Sequence, residues 1–259
     1  MIKYEIYNES KLNKGASVSG HSKWSTIKRQ KGVADAKRGA VFTKIGNAIA
    51  IAARGGIDPT MNSALALAIE KAKAANMPAA NIQRAIDRVA DKSAAALEEV
   101  VYEGYGPGGI GIIIETATDN RNRTFPEVKS TLTKHGGNVA EPGSVAFQFT
   151  RKGVIHISLD GQAADDVLLM ALDAGAEDAT EDDGEIVVYT DMKDLHKVRA
   201  ALADNGLKVT DANLEYVANA PVEISDPTVA QKALNLLDLL DELDDITAVH
   251  TNADITADV

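Results

Sequence analysis

The chain has 259 residues, 45% of them hydrophobic and 25% charged, with no cysteine and a formal net charge of −11. The length fits two or three domains of about 100–200 residues, and the absence of cysteine excludes a disulfide framework, a thiolate-ligated metal and a thiol nucleophile, and fits a reducing, cytoplasmic compartment. The charge is divided: residues 1–20 sum to +1, residues 21–92 to +8 and residues 93–259 to −20, which suggests a module facing nucleic acid on an acidic body.

Residues 1–19 match no periodic template and read as a leader or cloning remnant outside the fold. They lack the continuous apolar region of a secretory signal, and Glu5 and Glu9 with no Arg argue against a transit peptide. Residues 34–54 read as a helix with Phe42, Ile45, Ile49 and Ala52 on one face. Gly55-Gly56 ends it, and Asp58-Pro59 is expected to start the next, with Asp58 as the N-cap. Leu65, Ile69 and Ala72 continue that second apolar face. Pro78 opens a third helix expected to bury Ile82, Ile86 and Val89. Residues 21–92 are therefore expected to form a basic all-helical domain.

The pattern then turns to β. Val100–Tyr102 and Ile110–Thr118 read as strands around a glycine-rich loop, and residues 121–135 as a helix with Val128 and Leu132 inward. Strands are expected at Val145–Thr150, 153–159, Glu185–Thr190 and Leu207–Tyr216. Helices fall between them around Val167, Leu168 and Leu172, and around Leu195, Val198 and Leu202. Pro221–Ile224, a helix capped by Asp226-Pro227, and a strand at Ile246–Asn252 complete the chain. No apolar run approaches the roughly 18 residues of a membrane span. Residues 153–216 read β-α-β-β-α-β, and the flanking pieces supply a second set of that kind. The expected fold is α+β: an N-terminal all-α three-helix domain, then two ferredoxin-like α+β domains, one inserted in the other. The outer domain would comprise residues 93–150 and 218–259 and the inserted one 151–217, with hinges near 150–153 and 218–220.

Gly104-x-Gly106-x-x-Gly109 matches the spacing of a dinucleotide fingerprint and follows a strand. A phosphate loop must open a helix, whereas Ile110–Ile114 follows here, and Pro107 removes an N–H from any cradle. We read a glycine-rich hairpin loop. The five histidines lack ligand spacing, and the acidic run from Glu177 to Glu185 misses the calcium-loop register at Ala179. The sequence argues for no enzyme, no metal and no cofactor.

The polar segment His21 to Lys31 does carry a signal. Lys23, Lys28, Arg29 and Lys31 are phosphate-seeking cations, and Trp24 among them offers either a stacking face or an anchor for the arm. His21 and Ser22 open the segment, and Lys37, Arg38, Lys44 and Arg54 extend the basic surface along the first helix. A second candidate is Thr118-Asp119-Asn120-Arg121-Asn122-Arg123-Thr124, where Arg121 and Arg123 stand at a helix start. The alternative there is helix capping with surface salt bridges.

Together these residues resemble the YebC family. The resemblance rests on Gly20-His21-Ser22-Lys23-Trp24, Asp35 to Gly39, Phe42-Thr43-Lys44, Ala52-Ala53-Arg54-Gly55-Gly56 and Asn76-Met77-Pro78. It continues through Tyr102 to Gly109, Thr118 to Thr124, Gly136-Gly137-Asn138 and Gly143 to Phe147. It covers about residue 20 to the C-terminus, while the Met expected just before Gly20 is absent. The resemblance implies three domains around a cleft and a cytoplasmic regulator of transcription that binds DNA. Related members are implicated in translation, one as the mitochondrial activator of cytochrome oxidase synthesis and others at the ribosome. The expected partner is thus nucleic acid, either DNA or ribosomal RNA, with no membrane and with a monomer favoured. A ligand- or protein-binding role of the α+β pair is the remaining alternative.

Overall fold

A computed structural model describes residues 38–89, 97–182 and 184–258. Three helices come first: α1 (Arg38–Ala53), α2 (Ser63–Ala74) and α3 (Ala79–Asp87). Their core joins Ile45, Ile49, Ala53, Leu65, Ala72, Met77, Ile82 and Ile86. The apolar periodicity of the sequence is this contact set, and full burial of such side chains contributes about 1.5–3 kcal/mol each.

Two sequence expectations need correction here. The N-cap of α2 is Asn62, whose side chain accepts from the Leu65 N–H at 3.1 Å, and not Asp58. Asp58 instead accepts from the Thr60 N–H and hydroxyl at 2.9 and 2.7 Å, closing a local turn before the helix. Val89 lies beyond the end of α3 and is exposed, because that helix stops at Asp87.

The α+β part begins with the hairpin β1 (Glu98–Tyr105) and β2 (Gly111–Thr118), followed by α4 (Arg121–Lys134) and the short β3 (Asn138–Val139). After a 3-10 turn at Ala146–Gln148 come β4 (Phe149–Ser158), α5 (Ala164–Asp173), β5 (Asp178–Asp182), β6 (Glu185–Thr190), α6 (Leu195–Asp204) and β7 (Lys208–Ala218). The chain closes with β8 (Val222–Ile224), α7 (Pro227–Asp241), β9 (Ile246–Thr251) and β10 (Ala253–Ile255).

Strands β5-β6-β4-β7 form one antiparallel sheet, with α5 and α6 packed on one face around Ile155, Ile157, Ile186, Val188, Val198 and Leu202. This is the ferredoxin-like arrangement expected from the β-α-β-β-α-β order. The other large sheet has the order β3-β1-β2-β9, with α4 and α7 over Ile112, Ile114, Val128, Leu132, Leu237 and Leu240. Its opposite face is covered too, by Val145, Phe149 and Ala218 against Ile113. That double cover is why Ile110–Ile114 reads as an unbroken apolar run. The α+β class expected from the sequence is the observed one.

The stretches expected as hinges, 150–153 and 218–220, have another form. Strand β4 pairs with β7 without a break from Phe149↔Ala218 to Gly153↔Leu214, while β6 joins only from Gly153 onward. Residues 149–152 and 215–218 are therefore a two-stranded ribbon between the two sheets. Likewise the strand expected at Val145–Thr150 starts only at Phe149, because Glu103 holds the preceding turn.

Candidate nucleic-acid interface

His21, Ser22, Lys23, Trp24, Lys28, Arg29, Lys31 and Lys37 lie outside the described residues, as does the side chain of Arg38, which opens α1. Four of the expected cations remain to be placed: Lys44, Arg54, Arg121 and Arg123.

Lys44 projects from α1 to the C-terminus of α7. Its side chain is only 15% exposed, its ammonium lies 3.5 Å from the Asp241 carboxylate, and it donates to the Asp241 carbonyl. A cation at a helix C-terminus meets the negative end of the macrodipole. This lysine therefore ties the helical region to the α+β body. Arg54 follows α1 and is exposed, and among the described residues it forms no ion pair.

Arg121 and Arg123 both start α4 and have different partners. Arg121 Nε lies 2.5 Å from Glu98 in a largely exposed pair. Arg123 Nη2 lies 2.9 Å from both oxygens of Asp245 and 3.3 Å from Asp119. Asp245 Oδ2 also accepts from the Thr124 hydroxyl at 2.6 Å, with the Thr118 hydroxyl 3.2 Å away. Burial pushes the Asp245 carboxyl up, and the Thr124, Arg123 and Thr118 donors outweigh it, so it titrates below the ordinary carboxyl range. Asn120 caps α4 by accepting from the Asn122 N–H at 3.1 Å. In the described residues this motif is a clasp between the start of α4 and the segment before β9.

Sequence reasoning missed several participants. Arg88 reaches Asp119 at 3.4 Å and Asn47 at 3.3 Å. Lys71 lies 3.3 Å from Asn213, and Glu70 pairs with Arg199. These contacts join the helical region to both sheets. They escape a sequence reading because each partner lies tens to hundreds of residues away. Between the helical region and α4 lies a cleft of about 600 Å³ lined by Thr43, Asn47, Arg88, Asp119, Arg123 and the acidic turn Glu242–Asp245. Its carboxylates outnumber its two guanidiniums, so by itself it does not attract phosphate.

The glycine-rich loop is a hairpin turn. Gly106 N–H donates to Ile110 at 2.9 Å, Gly108 and Gly109 have positive φ, and a Cβ at Gly108 would press on Val229 of α7 at 3.1 Å. Glu103, the β1 residue just before it, is buried and accepts from the N–H groups of Gly143, Val145 and Ala146 at 2.6, 2.6 and 2.8 Å. Burial raises its pKa, and these three donors outweigh that and hold the carboxyl below its ordinary range. The same network fixes the loop that displays Phe147 to solvent. No described helix is long and apolar enough to cross a membrane.

Comparison with known proteins places this geometry. Residues 22–92 match the family described as the TACO1/YebC protein N-terminal domain, and residues 97–253 match the TACO1/YebC second and third domain. A "probable transcriptional regulatory protein" of Chloroflexus aurantiacus is 52% identical over 248 residues, covering 93% of this chain and 98% of the relative. A protein of the same description from Moorella thermoacetica is 49% identical over 244 residues, covering 93% and 97%. The crystal structure of a conserved hypothetical protein from Aquifex aeolicus superposes with a TM-score of 0.82 at 39% identity, covering 87% of this chain and 93% of that one.

Proposed function

The chain belongs to the TACO1/YebC family, and from that premise we propose that it is a non-enzymatic, cytoplasmic regulator of gene expression that binds nucleic acid through its basic N-terminal region. Residues 21–92 would act as one domain, with an outer α+β domain (93–150 and 218–259) and an inserted one (151–217) as its acidic support. The observation that carries this reading is the charge division, +8 over residues 21–92 against −20 over residues 93–259. The acidic body repels phosphate and suppresses sticking elsewhere on the surface, so productive binding is confined to one region. The relatives' description as transcriptional regulators supports DNA as the polyanion.

The test uses the full chain with Lys23, Lys28, Arg29 and Lys31 changed to Ala one at a time. Log affinity for a duplex falls with log salt by about 0.9 per phosphate neutralised, so each loss should lower that slope by about one and weaken all sequences alike. An unchanged slope would remove the arm from the interface. Retention of promoter fragments against co-sedimentation with ribosomes decides between DNA and ribosomal RNA.

A further inference from the structure

The connection between α1 and α2 combines three features that neither its helix-breaking role nor the ion pairs above explain. It exposes Met61 at 86% and Ile57 at 63%, two of the most exposed large apolar side chains among the described residues. It is tightly built. The Asn62 amide donates to the Ala52 and Gly56 carbonyls at 2.7 Å each, and the Met61 and Asn62 N–H groups both donate to the Asp58 carbonyl at 3.1 and 3.0 Å. Gly56 takes φ +134°, which side chains rarely adopt, so the turn depends on glycine there. Finally, Arg54 stands exposed at its start, and Asp58, also exposed, has one carboxylate oxygen engaged by the Thr60 N–H and hydroxyl.

A knuckle that holds two apolar side chains in water, with an exposed guanidinium beside them, is suited to a surface that is both anionic and apolar between its charges. We propose that residues 54–61 form a wedge in which Ile57 and Met61 insert at a deformable step of a nucleic-acid helix while Arg54 contacts the flanking phosphate. Base pairs offer an apolar stacked interior within a few ångströms of phosphate. Ile and Met are among the side chains that partly unstack a step from the minor groove, and pyrimidine–purine steps yield most readily. A protein partner is the competing occupant. The location favours nucleic acid, because the wedge sits within the +8 region, whereas the body carries −20. The proposal rests on the binding function above and adds its mode: binding that deforms the helix without reading base edges.

The experiment measures full-length protein against a 20-base-pair duplex carrying 2-aminopurine at a central TA step, over a series of salt concentrations. The wild type should raise the 2-aminopurine fluorescence on binding. The double variant Ile57→Ala/Met61→Ala should bind about 3–10-fold more weakly, give no fluorescence rise, and keep the wild-type salt slope. Arg54→Ala should do the converse, lowering the slope by about one while keeping the fluorescence rise. Ile57→Leu/Met61→Leu should restore both affinity and signal, since it keeps the apolar volume, and an unchanged thermal melt of every variant shows that the loop is not a folding element. If the double variant binds and unstacks the duplex as the wild type does, the wedge is wrong while the binding function stands. If the double variant keeps nucleic-acid binding but loses a protein from a pull-down, the knuckle is a protein contact and the wedge is overturned. If the wild type shows no salt-dependent binding to duplex DNA or to purified ribosomal RNA, the binding function itself fails and the wedge with it.

Discussion

In the α+β body, Asp245 is 8% exposed and shares its two oxygens among Arg123, Thr124 and Thr118, while Glu103, equally buried, takes three backbone N–H groups. In the helical region Arg54 stands in water at the end of α1, and Asp58 serves only its own turn. The body uses these anions to close segments far apart in sequence, 40–43 residues for Glu103 and more than 120 for Asp245. The helical region uses most of its described polar side chains locally, apart from Lys44, Glu70, Lys71 and Arg88, which reach across to the body. Formal charge and available charge are therefore different quantities. The body's −20 is partly consumed inside the fold. Part of the helical region's excess is consumed where it docks.

Asp245→Ala is the severest test of this contrast. It would remove a shared acceptor from Thr118, Thr124 and Arg123, although Thr124 keeps the Thr118 hydroxyl at 2.7 Å and Arg123 keeps Asp119 at 3.3 Å, and should lower unfolding stability by about 2–4 kcal/mol in urea titrations. Asp245→Asn should recover part of that loss, since an amide oxygen still accepts. A loss under about 1 kcal/mol for the Ala variant would mean the clasp is ornamental. Glu103→Ala should be smaller, about 1–3 kcal/mol, because of its three donors only the Val145 N–H belongs to a buried residue. Limited proteolysis near Phe147 should accelerate in that variant.

The same two carboxylates predict an acid limb. Both are held below the ordinary carboxyl range in the folded chain. Their contribution is therefore fully present above the unfolded carboxyl value, about 4, and is lost as the pH falls through the lower folded values. Unfolding followed from pH 6 to pH 2 should show stability declining below about pH 4, and declining less steeply in Asp245→Asn and Glu103→Gln, which no longer titrate there.

Smaller effects sharpen the contrast at the docking surface. Lys44→Ala removes a largely buried pair at a helix terminus and should reduce stability by about 0.5–2 kcal/mol, less at high salt. Arg121→Ala removes an exposed pair with Glu98 and should fall within about 0.5 kcal/mol of wild type. If Arg121 proves as important as Asp245, exposure does not decide which charges matter here.

Much of this was legible along the chain. Asp226-Pro227 announces α7, and Asp226 does accept from the Thr228 and Val229 N–H groups at 2.7 and 3.1 Å. The glycine-rich segment reads as a hairpin because a strand follows it, and β2 begins at Gly111. The helix at 121–135 and its inward Val128 and Leu132 follow from spacing alone. Signals of this kind sit within one or two turns of chain, where capping chemistry and side-chain period act directly.

What differed did so where contacts beyond the local signal decide. Asp58 has every local mark of an N-cap, yet Asn62 holds that position because its amide also bridges back to Ala52 and Gly56. Residues 150–153, expected near a hinge, pair with β7 some sixty residues on. Arg123, open in the sequence between phosphate contact and capping with surface salt bridges, has its shortest contacts with Asp245, 122 residues away. The sequence by itself determined the order of the main helices and strands, the α+β class and the charge division, because these are local or additive properties. Only the tertiary structure decided which charges are buried and paired, since that depends on chain closures whose partners no local window contains.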